Sequence, residues 1–162
     1  MTPTEKKATR ATMADYLRRS EKARSIIHYS QTRPYHGLGV PPETGFTADC
    51  SSYVTLACYW AADQSDTPLT DPNGRNYDHY GFTGTLYAEN KNHPVPNGHK
   101  YLIGDMAIYG PAYATRHVVI CRTAGYAADA VWSSHGSEAG PLPVRVHYRN
   151  DLLGVFRPAS LL

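Results

Sequence analysis

The stretch Phe46-Thr47-Ala48-Asp49-Cys50-Ser51-Ser52-Tyr53-Val54 decides how this chain is read, because here a polar, glycine-containing loop gives way to an apolar run. The run from Tyr53 to Ala62 predicts a helix with Tyr53, Leu56, Ala57 and Trp60 on one face. Cys50 then lies at the helix N-terminus. Unpaired backbone N–H groups and the positive end of the helix dipole favour a thiolate at such a place, so Cys50 is the candidate nucleophile. Asp49 is placed to cap the helix, although a carboxylate beside the thiol partly offsets that gain.

Upstream, Thr12-x-x-Asp15 resembles a capping box and predicts a helix to about Tyr29, with Tyr16, Leu17, Ala23, Ile26 and Ile27 as its buried stripe. Residues 1–10 are polar and are expected to be disordered. Six prolines and glycines between 31 and 48 mark a loop. Downstream, residues 63–100 form a long Tyr/Asn/Gly-rich excursion with a turn at Asp71-Pro72-Asn73-Gly74 and a short helix starting near Gly81. From residue 101 the pattern becomes strands: Met106–Tyr109, His117–Arg122, Ala130–His135, Val144–Tyr148 and Leu153–Arg157. Helices followed by strands predict an α+β fold, with N-terminal helices packed on a C-terminal antiparallel meander.

The 162 residues fit one domain, 1–162. Apolar residues make up 41% and charged residues 19%, a composition that folds rather than one that stays disordered. A net charge of +2 without a contiguous Lys/Arg stripe argues against nucleic-acid binding and is compatible with an anionic polymer. Thirteen tyrosines against three phenylalanines suit open grooves for polar ligands, and half-buried packing explains them equally well. Three cysteines make no disulfide framework, and Cys58 and Cys121 are expected in the core. No apolar leader and no membrane span are apparent. The expected setting is therefore a reducing cytoplasm, without a signal peptide, as a monomer without membrane insertion.

Two of the eight histidines stand out by position. His117 opens an apolar strand, and His135 ends the next one. As antiparallel neighbours they approach each other, and a thiol nucleophile needs an imidazole to take its proton and a third group to orient the ring. Ser133 is the alternative orienter.

At these residues the chain resembles a known family. Asp49-Cys50-Ser51-Ser52-Tyr53-Val54 is similar to the Asp-Cys-Ser-Gly-Phe-Val signature of NlpC-type papain-like cell-wall peptidases. Gly104-Asp105-Met106-Ala107-Ile108-Tyr109, His117-Val118-Val119-Ile120 and Pro34-Tyr35-His36-Gly37 resemble three further motifs in the family order, over roughly residues 30–137. Asp71–Arg75, Tyr80–Leu86 and Ser134–Pro141 look like the peptidase modules of actinobacteriophage endolysins. The resemblance implies a papain-like fold with Cys50 as nucleophile, His117 as base and then acid, and His135 as orienter. It places Tyr35 beside the nucleophile, its hydroxyl assisting the Cys50 N–H at the oxyanion. It implies a peptidoglycan hydrolase acting on stem-peptide amides next to D-Glu or diaminopimelate, with bacterial peptidoglycan as partner and no cofactor. Ser52 departs from the family glycine, which narrows the approach to the thiol. Asp49 and Asp105 match family positions and are read as structural.

Three other readings remain open on the residues. Cys50, His117 and His135 form a possible zinc set, against which stands the lack of a close Cys-x-x-Cys or His-x-x-x-His pair. A non-catalytic wall-binding module would use the tyrosine-rich 63–100 segment. An amidase or acyltransferase would use the same thiol and imidazole.

Overall fold

The structure, a computed structural model, describes residues 1–68, 70–126, 129–131 and 140–162, with the backbone alone at 129 and 131. It is a mixed α+β chain. Helix α1 spans Pro3–Lys22, α2 Cys50–Ser65 and α3 Thr83–Asn90. Strands β1 (Ile27–Tyr29) and β2 (Phe46–Ala48) form a small parallel pair. Strands β3 (Met106–Tyr109), β4 (His117–Cys121), β5 (Asp129–Val131), β6 (Pro143–Arg145) and β7 (Leu152–Phe156) form an antiparallel sheet ordered β6-β5-β4-β3-β7.

Helix α1 begins well before the sequence reading placed it. Thr2 caps it by accepting from the Glu5 N–H at 3.2 Å, while the Glu5 carboxylate accepts from the Thr2 N–H at 2.6 Å. Pro3, preset for a first helical turn, follows the cap. Residues 3–10 are therefore helical, not disordered. The helix also stops at Lys22, and Ile26, expected in the buried stripe, is 44% exposed. Tyr16 and Leu17 are buried as expected.

Helix α2 is enclosed along nearly its whole length, from Ser51 to Ala61 except Tyr59. On one side it packs on α1, where the Tyr16 ring lies 5.6 Å from Trp60 and 6.2 Å from Tyr53. On the other it packs on the sheet face carrying Met106, Ile108, Val118 and Ile120. Strand alternation sends Ala107, Tyr109, Val119 and Cys121 to the opposite face, where they meet Val146 and Val155 in a second core. Fully burying one such aliphatic side chain is worth about 1.5–3 kcal/mol, and truncating one to alanine costs about 2–5 kcal/mol.

Strands β3 to β6 form the expected meander. Strand β7 departs from it by crossing back to pair with β3, with Phe156 opposite Met106. Asp105 fixes the entry to β3. Its carboxylate, fully buried, accepts from the Leu102 N–H at 2.8 Å and from the Arg157 guanidinium at 2.8 and 2.9 Å. Gly104 adopts φ +91°, and a Cβ there would stand 2.9 Å from the Met13 sulfur, so glycine is required by both conformation and space.

The long 63–100 segment is ordered around Asp71. Its carboxylate accepts from the backbone N–H groups of Asn73 (2.9 Å), Arg75 (3.2 Å) and Tyr77 (2.7 Å). Asn73 then donates to Thr55 of α2 at 2.9 Å, tying the loop to the helix. No helix among the described residues is long and apolar enough to cross a membrane.

Candidate active site

The N-terminus of α2 is built by reciprocal capping. The Asp49 carboxylate accepts from the Ser52 N–H at 2.8 Å, and the Ser52 hydroxyl accepts from the Asp49 N–H at 2.8 Å. Ser52, at the position where the resembling family carries glycine, is therefore a cap residue. Its hydroxyl is fully buried and turned back to Asp49, not toward the thiol. Of the first-turn N–H groups, those of Asp49 and Ser52 are used in the cap and that of Ser51 meets the Cys50 sulfur. Among the described residues, the Cys50 N–H has no acceptor.

Cys50 sits partly exposed at the floor of a cleft of about 330 Å³, walled by Arg33, Tyr80, Phe82, Thr83, Thr115 and Arg116. Its sulfur lies 3.9 Å from the Thr83 hydroxyl and receives hydrogen bonds from the backbone of Val118 and of Ser51. The thiol is nonetheless pushed up to about 11, first by burial and then by the adjacent Asp49 carboxylate. This reverses the thiolate expected from the helix position. Desolvation and a like charge outweigh a dipole worth at most ~2 kcal/mol, and roughly one molecule in ten thousand carries a thiolate at pH 7.

Arg33 is the cation that covers Asp49. Its guanidinium donates to the Asp49 carboxylate at 2.8 Å and to the Ser51 hydroxyl at 3.2 Å, and a third bond at 3.1 Å reaches the Gly81 carbonyl. The 31–36 and 78–83 segments are thereby fastened together as the cleft wall. Two further bonds reinforce this, from the Tyr35 N–H to the His79 carbonyl (3.0 Å) and between His79 Nδ1 and the Tyr35 carbonyl (2.7 Å).

His117 is brought to the sulfur by backbone, not by ring. It immediately precedes Val118, whose N–H reaches Sγ. The imidazole itself is buried on the far sheet face, 5.8 Å from the Tyr109 ring and 6.5 Å from that of Tyr148. Among the described residues, the side chain that meets the Cys50 sulfur is Thr83, not His117. Tyr35 also differs from its expected place. Its hydroxyl is bonded to Thr55 in the second turn of α2, and burial, the largest cause, raises it to about 12. It shapes the loop under the cleft and is not among the residues lining it. His135 and Ser133, the two expected orienters, lie outside the described residues. Asp49 and Asp105 are structural, as expected.

Arg33, Thr83 and Arg116 were not singled out from sequence. They converge only through the fold, and no local spacing announces them. The one signal available for Thr83 was its place at the start of a short helix after Gly81-Phe82. Comparison with protein-family models gives no match, and comparison with curated proteins gives no significant match.

Proposed function

We propose that this chain is a thiol hydrolase of peptidoglycan stem peptides, built on an NlpC-type, papain-like plan. The observation that carries the proposal is the seating of the Cys50 sulfur. It sits at the start of α2 against the first residues of β4, at the floor of a cleft with arginines on two walls. A helix-borne thiol whose nearest strand opens with a histidine supports acyl transfer, which requires that imidazole to come within hydrogen-bond reach of the sulfur.

The high thiol pKa directs the mechanism. A standing thiolate is scarce, so the proton leaves as the substrate arrives. In this reading the His117 imidazole takes the thiol proton as sulfur attacks the peptide carbonyl carbon, which requires the ring and the start of β4 to leave their place against Tyr109 when substrate binds. The carbonyl oxygen, now anionic, accepts from the Cys50 N–H. The C–N bond then breaks, and His117 returns its proton to the departing amine. Water, deprotonated by His117, releases the acyl group as a carboxylic acid and restores the thiol. Catalytic hydrogen bonds are commonly incomplete before substrate binds. His135 is the proposed orienter of the ring. Arg33 and Arg116 suit an acidic stem peptide, with bonds next to D-Glu or diaminopimelate as the preferred class. Bacterial peptidoglycan is the proposed partner, and action on the wall after release from a host cell is the proposed setting.

A second reading, a non-catalytic wall binder, is favoured by the protonated thiol and by the imidazole lying against Tyr109. Incubation of purified sacculi with the wild-type protein and Cys50→Ala separates the two. Hydrolysis releases new amino groups only with the wild type. Sedimentation of both proteins with the wall and no new amines from either would make the protein a binder.

A further inference from the structure

A second groove, of about 520 Å³, adjoins the Cys50 cleft and shares Phe82 and Thr115 with it. It runs between α3 and the 112–115 loop. Its lining carries a single charged residue, Lys91, whereas the Cys50 cleft carries Arg33, Asp49 and Arg116. Two aromatic rings are presented there to solvent, Tyr113 at 93% exposure and Phe82 at 54%.

Phe82 is held as a platform. Its N–H donates to the Thr85 hydroxyl at 2.8 Å, and that hydroxyl lies 2.8 Å from the Asn73 carboxamide oxygen. Its ring lies on the first turn of α3 where Gly84 has no side chain, and a Cβ on Gly84 would stand 2.4 Å from Phe82 Cε2. The ring therefore rests on the first turn of α3 while more than half of the residue stays exposed. Two exposed aromatic rings bordering one groove form an apolar patch of the kind that marks a binding site. With Lys91 as the one charged residue of the lining, the groove favours a neutral occupant. The remaining chemistry is a neutral ligand with flat C–H faces and hydroxyl or amide edges.

We infer that the Phe82–Tyr113 groove is a saccharide subsite, taking a pyranose of the N-acetylhexosamine type stacked on these rings while the charged peptide portion lies over Cys50. This rests on the proposed peptidoglycan reading and assigns the glycan to a definite place. Stacking a sugar here would let substrates that carry a saccharide bind more tightly than the bare peptide, with Phe82 setting the angle between the two parts.

The test has two arms. In the first, 15N-labelled Cys50→Ala protein is titrated with chitotetraose. Saturable shifts confined to residues 82–91 and 112–115 are expected. They should be lost in Cys50→Ala/Tyr113→Ala and weakened in Cys50→Ala/Gly84→Ala, a change that favours helix yet drives the Phe82 ring from its seat. No shifts, or shifts elsewhere, overturn the inference. In the second arm, kcat/KM is compared for a free stem tetrapeptide and the same peptide on its disaccharide. A preference of tenfold or more for the disaccharide form is expected in the wild type, falling toward unity in Tyr113→Ala. Equal cleavage of both by the wild type overturns the saccharide subsite and leaves the hydrolase standing. Cleavage of neither removes the hydrolase reading, and the titration then decides the subsite alone.

Discussion

Replacing Arg33 by methionine removes the cation paired with Asp49 among the described residues while keeping most of the side-chain volume. The pair is largely enclosed, with side-chain exposures of 18% and 10%. Removing one partner of a buried pair costs about 3–5 kcal/mol. Asp49 keeps the Ser52 N–H and the Ser51 and Ser52 hydroxyls, at 2.8, 2.9 and 2.9 Å, so the loss here should be smaller, about 2 kcal/mol. The effect on Cys50 is more diagnostic. Asp49 already raises the thiol, second only to burial. Uncovering its charge should raise the thiol further, by about one unit, which is tenfold less thiolate at any pH below the titration. Asp49→Asn should act in the opposite direction. The assay is alkylation by iodoacetamide, followed at Cys50 by peptide mass spectrometry, because Cys58 and Cys121 are fully buried. The wild-type rate should climb through pH 9 and 10 toward a midpoint near 11, with the Arg33→Met rate about tenfold lower at pH 9. A wild-type midpoint at or below neutrality, or an Arg33→Met profile that stays put or moves down, would refute the argument that Asp49 and burial govern this thiol.

Other outcomes follow from the same contacts. Arg157→Met strands the fully buried Asp105 carboxylate at the start of β3 and should cost about 3 kcal/mol, read as a melting temperature lower by roughly 6–12 °C; a fall of only a degree or two would mean the pair is not structural. Alkali should destabilise the fold. The thiols of Cys50 and Cys58 are raised by burial to about 11 and about 12, so their contribution is complete below the unfolded value near 9 and is lost as pH rises through the folded ones. Thermal melts should be level up to about pH 9 and fall above it, with a shallower fall in Cys58→Ala; a Cys58→Ala curve parallel to wild type would contradict this. His117→Ala should lower wall hydrolysis by about 10²–10⁴, and His135→Ala by less, since an orienter is more replaceable than a base. Undiminished activity in His135→Ala would shift that role to Ser133 or elsewhere.

Local signals in the chain were legible and long-range ones were not. The Cys50 helix, its Asp49 cap, the Asp71 turn and the strands at 106 and 117 each follow from a few adjacent residues. The start of α1 was equally local, since Thr2-Pro3-Thr4-Glu5 carries a capping box and a first-turn proline, and the polar composition around it obscured that. Strands β1 and β2 are three residues each, on either side of a proline- and glycine-rich stretch, and too short for any period to show. The return of β7 to the edge of β3 is a matter of topology, and so is the convergence of Arg33, Thr83 and Arg116. The direction of the Cys50 shift was missed for a related reason. Helix position is readable from sequence, whereas burial under β4 and α3 is a property of the packed chain.

The claim at the centre of this account is that Cys50 cuts the stem peptide by acyl transfer to water. The direct measurement is digestion of purified actinobacterial peptidoglycan, with mass spectrometry of the soluble products. The account expects fragments split within the stem peptide, each cut adding one water and leaving a new amine and a new carboxylate, and none of these from Cys50→Ala protein of unchanged melting temperature. Stem peptides that remain whole with the wild type, or cuts that persist in Cys50→Ala, would contradict it.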